Sequence, residues 1–89
     1  MIKVLFFGAL REKIGCGAIA LPFDKITHND DGHITVAEVL NALSAQSTRI
    51  ARALHDGQLL AAVNQQLTSL SQPVQTGDEV AFFPPVTGG

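Results

Sequence analysis

The residues best suited to chemistry stand at the end of the sequence, where Val86-Thr87-Gly88-Gly89 follows Phe82-Phe83-Pro84-Pro85. Glycine has no Cβ, so Gly88 and Gly89 would form a slim segment with an unobstructed terminal carboxyl group. At neutral pH that group is a carboxylate and resists nucleophilic attack until it is activated. ATP-dependent adenylation would give it a good leaving group, and a sulfur donor could then leave a thiocarboxylate on Gly89. The ending therefore predicts a carrier of sulfur, with a frayed, inert terminus as the alternative.

Two consecutive prolines join this ending to the rest of the chain. Pro84 and Pro85 fix their own φ near −65°, and each pushes the residue before it toward extended conformations. Proline also lacks the N–H that a ladder hydrogen bond needs, so Pro84 should end sheet pairing. At about 3.3–3.6 Å per residue, the four residues after Pro85 reach roughly 13–14 Å. We therefore expect residues 84–89 to form an extended, flexible tail that can enter a partner's buried site.

Length and composition restrict the class of protein. The 89 residues suffice for one domain, 1–89, with one core. The chain is 46% hydrophobic and 16% charged with a net charge of −2, which is typical of a globular protein rather than a disordered or membrane one. Arg49 and Arg52 form the only local basic cluster, which is too sparse to neutralise a phosphate backbone. We therefore expect no nucleic-acid partner.

The apolar start and the cysteine content bear on location. The stretch Ile2–Phe7 is interrupted by Lys3 and is far too short for a signal segment or a membrane span. Cys16 is the single cysteine and cannot form an internal disulfide, which fits a reducing compartment. A cytoplasmic location is expected. Cys16 could carry a persulfide, but the proposed chemistry does not need it, so a plain small thiol is favoured.

Metal binding is not predicted. His28, His33 and His55 lack paired ligand spacing. The acidic stretch Asn29-Asp30-Asp31-Gly32 lacks the ligand spacing and closing glutamate of a calcium loop, so it is interpreted as a solvated turn.

The hydrophobic pattern predicts the elements that must position the tail. A capping box in Thr35-Val36-Ala37-Glu38 begins the main helix. Short helical stretches are expected at Ala9–Ile14 and Thr48–Leu54, and Pro22–His33 is expected to be a surface loop. The predicted strands are Met1–Phe7, Ala18–Leu21, Leu59–Val63 and Glu79–Phe83, with Gln66–Leu70 either a strand or irregular.

The first and last strands carry apolar residues on both faces. Leu5 and Phe7 lie on the second face of the first strand, and Phe83 lies on the second face of the last. Such strands are typically central, so we expect them to pair in parallel at the middle of a mixed sheet with the main helix packed across it. This α+β arrangement is the β-grasp, or ubiquitin-like, fold, which the order of elements permits without demanding it.

Several segments resemble the small subunit of molybdopterin synthase, and the resemblance spans nearly the whole chain. The most specific is the stretch from Gly77-Asp78-Glu79 through Phe83-Pro84-Pro85 to the final Gly89, whereas the diglycine alone would also suit the thiamine sulfur carrier or a ubiquitin-like modifier. The other segments are Ile2-Lys3-Val4-Leu5-Phe6-Phe7, Leu10-Arg11-Glu12 and Leu60-Ala61-Ala62-Val63-Asn64-Gln65. The loop Pro22–His33 departs from the family pattern by being longer and more polar.

The resemblance implies a sulfur carrier for molybdenum cofactor biosynthesis. An adenylating enzyme related to ubiquitin-activating enzymes would use ATP to adenylate Gly89, and a sulfurtransferase would supply the sulfur. The thiocarboxylate would attack cyclic pyranopterin monophosphate inside the large synthase subunit, in a heterotetramer of two small and two large subunits. The resemblance thus implies a sulfur-donating subunit that is not an enzyme by itself and that binds no permanent cofactor.

The resemblance also assigns roles to single residues. Gly89 would bear the reactive group, and Val86, Thr87 and Gly88 would thread into the large subunit. Contact with that subunit is assigned to five residues: Phe7, Leu67, Phe83, Pro84 and Pro85. For the two phenylalanines, ordinary core packing is the alternative.

Three other functions stay open at this stage. One is a sulfur carrier for thiamine or another thiolated product, and another is a protein modifier that ends in an isopeptide bond to lysine. The third is a binding module with an inert tail. The surface around Phe7 and Phe83 would distinguish the first two, because it must fit one acceptor or the other.

Overall fold

The structure is a computed structural model that describes residues 1–55 and 57–85. Each predicted helix and strand is present, with ends shifted by at most two residues. The elements in chain order are β1 (Ile2–Phe6), α1 (Ala9–Ile14), β2 (Ala18–Leu21), a 3₁₀ helix (Phe23–Lys25), α2 (Val36–Gln46), α3 (Thr48–His55), β3 (Leu60–Val63), β4 (Gln66–Thr68) and β5 (Glu79–Phe83).

The strands form one five-stranded sheet in the order β2-β1-β5-β3-β4. The first and last strands, β1 and β5, are parallel neighbours, with Val4 opposite Val80 and Phe6 opposite Phe82. All other strand pairs are antiparallel. The predicted mixed sheet with parallel, central first and last strands is therefore confirmed.

The core lies between one face of this sheet and the helices. Alternate residues of β1 (Ile2, Val4 and Phe6) are almost completely buried, as the period of two predicts. The rings of Phe6 and Phe82 stack with their centroids 6.4 Å apart and an interplanar angle of 22°. The buried stripe of α2 joins the same hydrophobic cluster, so the main helix packs across the sheet as expected; its members are Val36, Val39, Leu40 and Leu43.

The start of α2 is fixed by the predicted capping box, which the structure confirms. Glu38 Oε1 accepts hydrogen bonds from the Thr35 backbone N–H at 2.9 Å and from Thr35 Oγ1 at 2.5 Å. Thr35 itself has extended backbone dihedrals, as a residue before the first helical turn requires. These bonds satisfy polar groups that the helix cannot pair internally.

The turn between β3 and β4 forms hydrogen bonds with the start of β5. Asn64 and Gln65 have φ values of 50° and 71°, which a two-residue type I′ turn requires at both positions. Asn64 Oδ1 accepts from the Glu79 N–H at 3.0 Å, and its Nδ2 donates to Asp78 Oδ1 at 3.2 Å. The first residue of the turn therefore also orients the start of β5.

The segment Pro22–His33 is more structured than a plain surface loop. It contains the 3₁₀ helix Phe23–Lys25, and Ile26 is only 3% exposed within the core. Beyond Ile26, the Asn29 side chain accepts hydrogen bonds from the backbone of Asp31 and His33 and closes the exposed turn. The prediction is wrong for the first half because Ile26 lies in the core and the half-buried Phe23 packs against it.

Candidate functional site

The chain leaves the sheet at the end of a central strand. β5 ends at Phe83, and the half-buried Pro84 and Pro85 follow outside the sheet, as the missing proline N–H predicts. Pro84 packs beside Gly8, where an added Cβ would lie 3.6 Å from Pro84 Cγ. Gly8 has φ 62° and ψ −144°, a combination that glycine alone adopts readily. The root of the tail therefore rests beside the start of α1.

The four residues expected to thread into a partner lie outside the described residues. They are Val86, Thr87, Gly88 and Gly89. Their roles stay predictions from the sequence, whereas the position of the strand and prolines that precede them is a structural observation.

Apolar side chains line the face of the sheet opposite the core, which we call the outer face. The strand register puts Leu5 opposite Ala81, Ala81 opposite Ala62, and Ala62 opposite Leu67. Residues directly opposite each other point to the same side of a sheet, so these four form a row across four strands. The row ends at Leu67 on the edge strand β4.

A second row lies nearer to the tail. Phe83 is opposite Leu60, and Phe7 continues the alternation of β1 on the same side as Leu5. The Phe7 N–H donates to Phe82 O at 3.2 Å, so the parallel pairing of β1 and β5 extends to this residue. The outer face is thus apolar at the end where the tail begins.

Exposure shows how much of this face is open. Phe7 is 48% exposed, Leu60 36% and Leu67 70%, while Phe83 is half-buried. The structure therefore brings Phe7, Leu67 and Phe83 to one face, as a docking surface would need, and it excludes full core burial for Phe7. Leu60 was missed by the sequence reasoning, although the alternation of β3 would have placed it on this face once the strand register was known.

The far end of the outer face is charged instead of apolar. Lys3 lies opposite Glu79 at the start of the paired strands β1 and β5. The apolar rows thus occupy the part of the face that adjoins the tail.

The remaining candidates for chemistry are dispersed. Cys16 is exposed between two glycines, and His28, His33 and His55 are exposed as well. Within residues 1–55 and 57–85, no group of three or more His, Cys, Asp or Glu side chains could hold a metal ion. None of the helices in these same ranges is long and apolar enough to cross a membrane.

Comparison with known proteins identifies the family. The sequence model described as the ThiS family matches residues 4–89. The chain belongs to the ThiS family. Two bacterial relatives are named molybdopterin synthase sulfur carrier subunit, and the alignment covers 100% of this chain and of each relative. The protein from Escherichia coli K12 is 52% identical over 89 residues, and that from Haemophilus influenzae is 45% identical over 89 residues. The family resemblance noted in the sequence is therefore confirmed.

A solved structure supports the fold of this ThiS-family chain. The small archaeal modifier protein 1 of Haloferax volcanii is 25% identical and superposes with a TM-score of 0.69, covering 96% of this chain and 97% of that one. The ubiquitin-like β-grasp fold predicted from the sequence is therefore confirmed.

Proposed function

We propose that this ThiS-family chain is the sulfur-carrier subunit of a molybdopterin synthase. The proposal is carried by the 52% identity to the Escherichia coli subunit of that name, over the full length of both chains. The aligned region extends to the end of this chain and so spans Gly88 and Gly89, the second of which would bear the sulfur. The sulfur cargo and the pterin substrate are parts of this proposal.

The proposed chemistry takes place on the Gly89 carboxylate. In an activating enzyme, a carboxylate oxygen attacks the α-phosphorus of ATP, pyrophosphate leaves, and an acyl adenylate forms. Sulfur from a sulfurtransferase, brought to the sulfide level by a thiol reductant, attacks the acyl carbon and displaces AMP, which carries away one of the former carboxylate oxygens. The resulting thiocarboxylate sulfur then attacks cyclic pyranopterin monophosphate, and water cleaves the acyl–sulfur bond and regenerates the Gly89 carboxylate. Two such rounds complete the dithiolene of molybdopterin. ATP is a transient co-substrate here, and no permanent cofactor is part of the proposal.

The position of the tail root supports different roles for this chain and the large subunit. Phe83 ends a central strand, and Pro84 packs on Gly8, so the chain leaves the globule in a restricted direction. In the proposal, the catalytic acid and base groups and the pterin site belong to the large subunit. This chain acts as a co-substrate that presents its end to several partners in turn, in the cytoplasm.

The outer face is the proposed docking surface for the large subunit, together with Pro84 and Pro85 at the tail root. Large apolar side chains that are open to solvent and contiguous commonly mark protein interfaces. Phe7, Leu60 and Leu67 meet this description, and Phe83 connects them to the tail. Binding on this face would orient the tail toward the large subunit, and two such pairs would form the proposed heterotetramer.

Intact mass spectrometry tests the proposed chemistry. The chain is incubated with its activating enzyme, ATP and a sulfurtransferase, and we expect a mass gain equal to the exchange of one oxygen for sulfur on Gly89. A variant that lacks Gly89 serves as the matched control and should keep its original mass. Formation of the adenylate without any subsequent exchange would contradict the proposed sulfur cargo.

A second candidate function is a protein modifier. The observation that favours it is the name of the Haloferax volcanii structure, small archaeal modifier protein 1, at 25% identity. In that case the adenylated Gly89 would be transferred to lysine side chains and would form isopeptide bonds. A search for Gly-Gly remnants on lysines after tryptic digestion of cells that make the chain would distinguish this modifier from a carrier for molybdopterin, thiamine or another thiolated product.

A further inference from the structure

An open cationic groove lies between α1 and α3, away from the outer face. It has a volume of about 790 Å³. Three of its lining residues are lysine or arginine, and no described lining residue is acidic; the lining is Lys13, Thr48, Arg49, Arg52, Ala53 and His55. The groove contrasts with the chain as a whole, whose net charge is −2.

Three of these residues come from one side of α3. Arg49, Arg52 and His55 follow one another at intervals of three, which places them along one side of a helix. All three are exposed. Arg52 forms no hydrogen bond or ion pair with any described residue. Its guanidinium group is therefore not neutralised by a described part of the chain.

Two of the groove side chains are held in place by hydrogen bonds. Arg49 Nε donates to the Lys13 carbonyl oxygen at 2.8 Å and so ties α3 to the last turn of α1. The Arg49 guanidinium also covers Gly15, where an added Cβ would lie 3.2 Å from Nη2. At the other end, His55 Nε2 lies 3.2 Å from Ser44 Oγ. Such fixed side chains lose less freedom when a partner binds.

Ser44 Oγ also donates to Leu40 O at 2.9 Å, so Ser44 links the His55 ring to the backbone of α2.

The groove continues toward the root of the tail. Lys13 and Ala53 line it, and the same two residues line a small cleft that also includes Leu59 and Pro84. Pro84 is the first residue of the tail and the second-last described residue of the chain. A partner bound in the groove would therefore lie next to the point where the tail leaves the globule.

We propose that this cationic groove binds an acidic surface patch on the enzyme that activates the C-terminal carboxylate, an inference that rests on the proposed function. Among the described lining residues the imidazole of His55 is the only ring, and no Phe, Tyr or Trp offers a larger surface on which a nucleobase could stack. A few cations on an open surface suit an acidic protein patch better than a nucleic acid, whose binding requires many phosphate contacts.

A charged groove also suits a short-lived complex. Complementary charges accelerate encounter, by about 10- to 1,000-fold in strongly steered cases, and contribute less to residence time. A carrier must leave its activating enzyme after each turnover in order to reach its acceptor. The apolar outer face would then serve the longer-lived complex with the large subunit, while the cationic groove guides the transient one.

The test is ATP–pyrophosphate exchange by the cognate activating enzyme with Arg52→Glu, Arg52→Gln and Lys25→Glu as carrier variants. Lys25 is an exposed cation of the 3₁₀ helix outside the groove, so Lys25→Glu makes the same change in net charge elsewhere. At low salt we expect Arg52→Glu to lower kcat/KM roughly tenfold through KM, with Arg52→Gln intermediate and Lys25→Glu near wild type. The difference between Arg52→Glu and wild type should shrink as salt is added.

The possible outcomes distinguish a failure of the groove proposal from a failure of the proposed function. A wild-type kcat/KM for Arg52→Glu, or an equal loss for Lys25→Glu, would overturn the groove proposal, as would a loss that salt does not reduce. If the wild-type chain supports no exchange at all, the proposed function fails instead. The groove is then tested alone by titrating the ¹⁵N-labelled chain with a hexaglutamate peptide. Chemical-shift changes that are confined to α3 and Lys13 and vanish in Arg52→Glu would support the groove proposal. Changes elsewhere, no changes, or stronger changes with ATP alone would refute it.

Discussion

Replacing Leu67 by aspartate should weaken binding to the large synthase subunit without unfolding the chain. Leu67 is 70% exposed at the edge of the outer face, so most of its side chain is available for burial in a complex. Complete burial of a leucine is worth about 1.5–3 kcal/mol, so that exposed share corresponds to about 1–2 kcal/mol. Because about 1.4 kcal/mol changes Kd tenfold, the lost contact alone should cost roughly 5- to 30-fold in affinity.

The introduced carboxylate adds to this loss. A buried charge without a partner is disfavoured, so the total effect should be roughly tenfold to hundredfold. Isothermal titration calorimetry of the chain with the large subunit would measure it. Thermal unfolding of the isolated variant should stay close to wild type, because surface substitutions usually change the free energy of unfolding by about 0.5 kcal/mol or less.

Leu70→Asp provides a matched control for this experiment. Leu70 is 44% exposed, but its carbonyl accepts the Ala37 N–H at 3.0 Å at the start of α2, away from the outer face. Leu70→Asp should therefore bind the large subunit about as tightly as wild type. Equal losses for the two variants, or a Kd for Leu67→Asp within about twofold of wild type, would refute the docking assignment.

Three further predictions concern the tail, the core and the helix start. Deleting Gly89, or adding one alanine after it, should abolish thiocarboxylate formation in intact mass spectra while circular dichroism stays unchanged; a normal oxygen-to-sulfur exchange would show that Gly89 is not the carrier residue. Phe82→Ala should lower the free energy of unfolding in urea by about 3–5 kcal/mol, because it leaves a cavity beside Phe6, and a loss under about 1 kcal/mol would mean that the stack is not central to the core. Thr35→Ala should cost about 1 kcal/mol in the same assay and Thr35→Ser much less, and equal costs for both would argue against the capping role of the hydroxyl group.

Much of the fold could be predicted because local patterns carry it. The alternation of Ile2, Val4 and Phe6 predicted a strand with one buried face, and the capping box at Thr35 located the start of α2. Local patterns did not predict the burial of a single residue whose neighbours are exposed. Ile26 lies in a polar stretch, and no periodicity indicates that this single side chain enters the core.

The candidate site could likewise be predicted only in part from the sequence. The family resemblance assigned Phe7 and Phe83 to partner contact, and the strand register brings them to one end of the sheet. Leu60 could be assigned to the outer face only once the strand register was known. The cationic groove needed tertiary structure, because Lys13 and Arg49 are far apart in sequence and only the packing of α1 against α3 joins them. The roles of the four residues after Pro85 stay predictions.

The parallel pairing of β1 with β5 has a consequence for how the chain is made. Val4 and Val80 are neighbours at the centre of the sheet, so the ladder between them cannot form until almost the entire polypeptide has been synthesised. Contacts between such distant residues also slow folding. A translation product that ends before β5 would lack the partner of β1 and the ring of Phe82 that stacks on Phe6, so it should be more accessible to proteases than the complete chain. The topology thus links completion of the sheet to completion of synthesis.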